Sequence, residues 1–347
     1  MTMTKTNQTI ETKSYSRPAV GAISLLLGIL ALLGSIALAV SAGAADIQFL
    51  HVWRSIFSYD AAREADQIIV GIRLPRELGA AFVGAAFAVS GAIMQGMTRN
   101  PLADPSLLGL NAGAVLGLAC VYAFLPDPSY VSIVLISFLG AAIGAGLVFG
   151  LGAMCRGGLS PLRLTLAGAA VSALLIALGQ GLALYFNLAQ NLAFWTAGGV
   201  SGTTWIQLSV VAPVVVLGTT LAIVLARSLT ILSFGEEVAV GLGQRTFAIK
   251  VILMIIVLIL AGTAVSLVGP IAFIGLLVPH MVRFFVGTDY RWIIPCSALF
   301  GSVLMVLADT VARLINPPFE TPTGAIFAML GVPFFLYLAR KGGGKMA

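Results

Sequence analysis

Charge is what this chain lacks. Only 9% of its 347 residues are Asp, Glu, Lys or Arg, against about 25% in an ordinary soluble domain. Its 32 charged side chains (19 basic plus 13 acidic) cannot cover a polypeptide of this length with a hydrated surface. That excludes a cytosolic enzyme, a nucleic-acid reader and a disordered tail. Cysteine and histidine are scarce too, at three and two residues. Cys120, Cys155 and Cys296 stand at no ligand or disulfide spacing and read as small apolar packing residues. His280 has no second ligand at a useful spacing, so no metal site is expected. A G-x-x-x-x-G-K-S/T phosphate loop is also missing, because Gly342-Gly343-Gly344-Lys345-Met346 lacks both its spacing and its hydroxyl. The chain is expected to bind no cofactor; any ATP and magnesium that drive it belong on another subunit.

What is present is apolar. Hydrophobic residues make up 59% of the chain, and the mean hydropathy is +1.04. Crossing a bilayer takes about 20 apolar residues in a helix. Stretches free of Asp, Glu, Lys and Arg run over Pro18–Ser41, Leu78–Thr98, Pro105–Pro126, Pro128–Cys155, Leu164–Ala226, Val251–Val282, Trp292–Ala308 and Thr321–Ala339. The fifth divides at the polar, glycine-rich segment Asn187–Thr204, and the sixth at Gly269-Pro270. The piece from Ile271 to about Val286 reads either as a short span or as a re-entrant segment. Ten spans with both termini in the cytoplasm place 14 of the 19 basic residues on the cytoplasmic side, as the positive-inside rule requires. Nine would put Arg340, Lys341 and Lys345 outside. The expected fold is therefore an all-α polytopic membrane protein of ten transmembrane helices. Residues 1–17 and 341–347 form cytoplasmic tails around a single domain over 18–340. The first run has 24 residues, longer than the roughly 7–15 of a signal-peptide core, and is read as a retained span.

Three features could carry function. Between the sixth and seventh spans, Ser233-Phe234-Gly235-Glu236-Glu237-Val238-Ala239-Val240-Gly241-Leu242-Gly243 has the S-x-x-E spacing of a capping box, acids at a helix start and a glycine stop. It predicts a two-turn helix with Phe234, Val238 and Leu242 on one side. That helix either packs on its own bundle or acts as a lever against a motor subunit. Before the second span, Arg73 and Arg76 flank Leu74-Pro75. They either anchor the interface by snorkelling or pair with carboxylates of an outside partner. Arg313, four residues after Asp309, has a local i,i+4 partner. Finally, Gly199-Val200-Ser201-Gly202 has the G-x-S-G form of an intramembrane serine protease, with His280 as a conceivable base. Asp309 and His280 are the ionisable groups nearest to lying within a span. A proton- or sodium-coupled carrier normally keeps a buried carboxylate for its ion, so that class is disfavoured. Ala88-Val89-Ser90-Gly91 is echoed by Ala264-Val265-Ser266 about half a chain later, as in inverted-repeat transporters.

Taken together, the blocks of this sequence resemble one family: the permeases of ABC importers for iron–siderophore complexes, haem and vitamin B12. The similarity runs from about Ile68 to Ala339. Its blocks are Ile72-Arg73-Leu74-Pro75-Arg76, Ser90-Gly91-Ala92-Ile93-Met94-Gln95, Arg99-Asn100-Pro101-Leu102-Ala103-Asp104-Pro105, Gly269-Pro270-Ile271-Ala272-Phe273-Ile274-Gly275-Leu276, Ala308-Asp309 with Ala312-Arg313, and Gly331-Val332-Pro333-Phe334-Phe335. The resemblance implies a ten-helix subunit pairing with a second permease, two ATP-binding subunits beneath and an extracytoplasmic substrate-binding protein above. It implies ATPase coupling through Ser233–Gly243 and binding-protein docking at Arg73, Arg76 and Arg313. It also implies a gate region near Trp195, Gly198 and Gly199. Ferric siderophore is the expected cargo, lipid the surroundings, and nucleic acid no partner.

Overall fold

A computed structural model describes residues 17–42, 49–154, 161–317 and 319–343. Residues 1–16 of the expected N-terminal tail, Cys155, Gly344 and Lys345 lie outside the described residues. The described elements are helices, with no strand among them. Ten form the body: α1 (Pro18–Ser41), α2 (Leu74–Thr98), α3 (Leu110–Phe124), α4 (Tyr130–Met154), α5 (Pro161–Tyr185), α6 (Trp205–Val224), α7 (Thr246–Val268), α8 (Ile274–Val286), α9 (Tyr290–Ile315) and α10 (Thr323–Gly343). They fall one for one on the expected spans. Among the described residues, seven helices are long and apolar enough to cross a membrane, while α3, α8 and the apolar part of α10 are shorter. At 13 residues, α8 rises only about 20 Å, less than the roughly 30 Å hydrocarbon core.

Helix α1 shows why length and apolarity suffice in lipid. It is apolar throughout, and its Leu and Ile side chains at 23, 26, 27, 30 and 33 stay exposed to the surroundings. Every backbone group away from its ends bonds within the helix, which is what hydrocarbon demands. Helix α2 is the opposite case: 89% of its apolar window is buried inside the protein. It is the central strut of the bundle, and its face is built of Gly and Ala.

Small residues let backbones touch. A Cβ on Gly84 would stand 2.2 Å from the carbonyl oxygen of Gly301 in α9, and one on Gly301 would stand 2.4 Å from that of Gly84. Next to this contact Ser302 Oγ donates to Ala81 O at 2.7 Å. Farther along, Gly91 meets the Gly275 backbone of α8 in the same way. Gln95 Nε2 donates to Gly275 O at 2.9 Å. The repeated Ser-Gly segment in α2 is thus a backbone-packing surface.

Several span limits move. The charged run Arg73-Leu74-Pro75-Arg76-Glu77 is not a loop before the second span. A single π-helical turn over Ile69–Arg73 runs into α2, with Pro75 in the first turn, where its missing N–H costs nothing. Helix α9 continues past Ala308 to Ile315 and carries Asp309 and Arg313 inside it. Helix α7 opens at Thr246 and takes in Lys250. Charges ended the spans in the sequence reading; here they continue the helices because each finds a partner.

The two predicted interruptions are present. Asn187, at φ +58°, closes α5, and a short helix Ala189–Ala197 follows. Thr204 then starts α6 with a capping box to Gln207, whose Oε1 accepts the Thr204 N–H at 2.7 Å. The α7–α8 bend turns at Gly269, φ +76°, where a Cβ would lie 2.3 Å from Trp195 O. Cys120 and Cys296 are free, and Cys296 is buried. Gly84→Ala should cost about 3 kcal/mol, since the facing atoms are backbone and cannot move aside. Gly146→Ala, with open space at its Cβ, should be neutral or gain up to about 1 kcal/mol. Thermal melting of the two purified variants checks this difference.

Candidate functional site: polar clusters at the two ends of α2

With 25 residues, α2 rises about 37 Å, and a polar cluster stands at each end. At its start, Arg76 Nε and Nη2 donate to Asp309 Oδ2 and Oδ1 at 2.8 and 3.0 Å, a bidentate pair. Its Nη1 donates to Glu320 in the α9–α10 connection. Arg313 donates to Glu77 and, at 3.1 Å, to Ala39 O at the end of α1. Arg313 Nε lies 3.5 Å from Asp309, so the i,i+4 pairing read from the sequence is present. Arg73 Nη1 donates to Val40 O at 2.7 Å. Thr323, at the start of α10, donates to Asp309 Oδ1 at 3.3 Å.

The cluster therefore ties α1, α2, α9 and the start of α10 together. Three guanidinium groups face three carboxylates, those of Glu77, Asp309 and Glu320. Glu77 and Asp309 are fully buried, and only Glu320 is half-exposed. The sequence reading offered Arg73 and Arg76 as snorkelling anchors or docking groups and gave Arg313 a local partner; the structure buries Arg73 and Arg76 almost completely. It also corrects the impression that this chain has almost no carboxylate inside its helices. Asp309 was seen beside Arg313, but its bidentate partner is 233 positions away, and no local pattern marks that. Asp66 was missed altogether. It is buried and accepts hydrogen bonds from Ser55 Oγ at 2.6 Å and the Asp60 N–H at 3.0 Å, with His51 Nε2 also 3.0 Å away.

The other end of α2 meets the connection between α6 and α7. It is a helix–turn–helix. The first helix, Ala226–Ser233, is seated by Leu229 and Leu232, both buried. Leu229 and Tyr290 close over Gly96, where a Cβ would stand 2.6 Å from the Tyr290 ring. Thr230 Oγ1 accepts the Tyr290 N–H at 3.0 Å, joining this helix to the first turn of α9.

The second helix is Glu236–Gly241, shorter than expected and differently capped. The predicted capping box does not form. Ser233 belongs to the preceding helix and donates to Thr230 O at 2.6 Å. Gly235, at φ +133°, occupies the N-cap. Glu236 is engaged instead by Lys250 Nζ at 2.7 Å and Thr246 Oγ1 at 3.2 Å, both from α7. The predicted stop at Gly243 holds: at φ +77°, its N–H donates to Val240 O at 2.8 Å and that of Gln244 to Ala239 O at 2.9 Å. That is a Schellman closure. Ala239 is buried, while Phe234, Val238 and Leu242 are exposed at 44%, 48% and 67%. The three residues expected four apart are all exposed, with Phe234 just ahead of the helix, Val238 on it and Leu242 at its C-cap.

The expected gate residues sit in a third place. Gly199 N–H donates to Val268 O at 2.9 Å, and Gly198 N–H to Trp195 O at 3.2 Å. Together with Gly269 and Gly324, whose Cβ would lie 3.0 Å from Ala197 O, they form a tight crossing of three backbone segments. Ser201 lies in an exposed turn, and the His280 ring packs edge-on against Phe334.

Removing Arg76 strands the buried Asp309 carboxylate, so Arg76→Ala should destabilise by about 3–5 kcal/mol. Glu320→Gln, at a half-exposed partner, should cost less than about 1 kcal/mol. Melting curves at fixed detergent check the ratio. Lys250 holds the Glu236 carboxyl below its ordinary range, aided by Thr246 and Arg99 and opposed by burial. A lowered folded value means the pair's contribution is present above the ordinary carboxylate range and fades as pH falls through that lowered value. The stability difference between wild type and Glu236→Gln should therefore vanish in acid and shrink in high salt.

Comparison with known proteins now bears on the whole architecture. The profile of the FecCD transport family matches residues 29–341. The chain is 52% identical, over 94% of its length and 85% of the relative's, to the iron(3+)-hydroxamate import system permease protein FhuB of Bacillus subtilis (strain 168). It is 39% identical to the hemin transport system permease protein HmuU of Yersinia pestis, covering 93% of this chain and 95% of that one. A solved structure described as an inward-facing conformation of a metal-chelate type ABC transporter superposes with a TM-score of 0.80 at 27% identity. It covers 94% of this chain and all of that one. A multi-pass helical body, these blocks and this length of match have one reading: the chain is a permease of the FecCD transport family.

Proposed function

We propose that this chain is one of two permease subunits of an ATP-driven importer of ferric siderophores, with a ferric hydroxamate the first cargo to test. The observation that carries the cargo is the 52% identity to a permease named for iron(3+)-hydroxamate import. ATP and magnesium are bound by two partner subunits, and a substrate-binding protein delivers the loaded chelate. Both termini and the Ala226–Gly243 connection lie in the cytoplasm, and the Arg76 end of α2 lies outside. The tails are residues 1–17 and 341–347.

Each end has physics suited to its task. The exposed stripe of Phe234, Val238 and Leu242 lies on the water side, where an apolar face calls for a protein partner. Below it, buried Leu229 and half-buried Thr230 pass any push directly to α2 and α9. At the outer end, carboxylates of a binding protein would meet Arg76 and Arg313 already held in place by Asp309 and Glu77, and Arg73 held by Val40 O. Half-exposed Glu320 is the one carboxylate in the cluster that an incoming acid can displace. The backbone crossing at Trp195, Gly198 and Gly199 is then the gate that opens as the pair of permeases changes side. An ion-coupled carrier is disfavoured because the buried carboxylates of the outer cluster are committed to arginines.

Vesicles holding this permease, its partner ATPase and internal ATP should take up labelled ferric hydroxamate, and an ion gradient without ATP should not replace them. Uptake driven by the gradient alone would overturn the reading. Val238→Asp with Leu242→Asp, both on exposed positions, should leave insertion and melting unchanged. These substitutions should reduce copurifying ATPase at least about tenfold, the loss expected on putting charge into an apolar docking face. Undiminished copurification would remove the lever from the mechanism.

A further inference from the structure

Beside the lever, between the end of α2 and helices α3, α4 and α7, lies a cavity of about 440 Å³. That falls within the roughly 300–1,000 Å³ of small-molecule sites. Its depth is apolar, with Leu110, Ala145, Phe149, Met254 and Leu258 on the walls. Its rim is charged and carries Arg99, Glu236 and Lys250.

The position of the opening decides what can fill it. Gly146 on α4 and Val251 and Ile255 on α7 form its flank, and both helices are membrane spans. Val251 and Ile255 are exposed, so the flank opens onto acyl chains and not onto water. Water in such a space finds few hydrogen-bonding partners. The rim lies where α2 ends and α7 begins, which is head-group depth. Lys250 is neutralised by Glu236 at 2.7 Å. Arg99 is exposed, just past the end of α2 in the left-handed region at φ +53°. It makes no ion pair or hydrogen bond among the described residues. Arg99 and Lys250 both bear on the single Glu236 carboxylate, so one net positive charge stands above an apolar, lipid-open cavity.

We propose that this cavity binds one anionic phospholipid, with an acyl tail in the cavity and the head-group phosphate on Arg99. Basic pockets between membrane helices recognise anionic head groups in this way. The lipid then touches the Glu236–Lys250 pair, so the lever rests on protein on one side and on lipid on the other. The proposal depends on the chain being a membrane permease and not on its cargo.

Native mass spectrometry of the purified transporter, titrated with phosphatidylglycerol or phosphatidylcholine of matched chains, tests it. Phosphatidylglycerol should bind about fivefold more tightly, the effect of one arginine on an anionic head group. Arg99→Gln should equalise the two lipids. Gly146→Leu places its side chain into space that is empty for 4 Å around a Cβ. It should weaken phosphatidylglycerol at least about tenfold by displacing the tail. Equal binding of the two lipids to the wild type would overturn the proposal. So would wild-type affinity in Gly146→Leu. Displacement of the lipid by inorganic phosphate at matched concentration would also overturn it, because the site would then bind a bare anion without a tail.

Discussion

The architecture depends on the contact between α2 and α9, where two backbones meet with no side chain between them. In water such a contact would be driven by hiding apolar surface. In a bilayer that drive is absent, and close packing with hydrogen bonds must replace it. Gly84 and Gly301 supply the packing, and Ser302 the hydrogen bond to Ala81 O. The Arg76–Asp309 pair then pins the same two helices at one end, and Leu229 with Tyr290 clamps the other over Gly96. Three fixings along about 37 Å make α2 and α9 one body.

The buried charges make sense only within that body. An arginine or carboxylate alone in the hydrocarbon region is costly, and mutual pairing removes most of the penalty. Because α2 and α9 are in register, Arg76 reaches Asp309 and Arg313 reaches Glu77 with short, direct hydrogen bonds. A shift of one residue would rotate a partner by about 100° and leave both carboxylates bare. The ion pairs are therefore better understood as fixing register than as adding stability.

Much of this was legible in the sequence, and what was not has a physical reason. Apolar length located the ten helices, because in lipid the helix is the only local solution for an apolar run. The breaks at Asn187–Thr204 and Gly269-Pro270, and the Gly243 stop, were legible because they depend on residues within a few positions of one another. Helix limits at charged residues were not. Arg76, Lys250 and Asp309 continue their helices because of partners in tertiary space. Ser233 and Glu236 carry a real capping signal, yet Lys250 and Thr246 outcompete it for Glu236. The Thr204–Gln207 box has the same kind of spacing and does form.

The helix–turn–helix between α6 and α7 divides its labour by side. Leu229, Leu232, Ala239 and the Schellman closure determine its shape. Phe234, Val238 and Leu242 take no part in that, and their identity can drift without disturbing the scaffold. Such a module can be re-addressed. On the docking proposed above, exchanging only the outward residues between two relatives swaps which motor each recruits, while insertion, register and the charged cluster at the far end stay untouched.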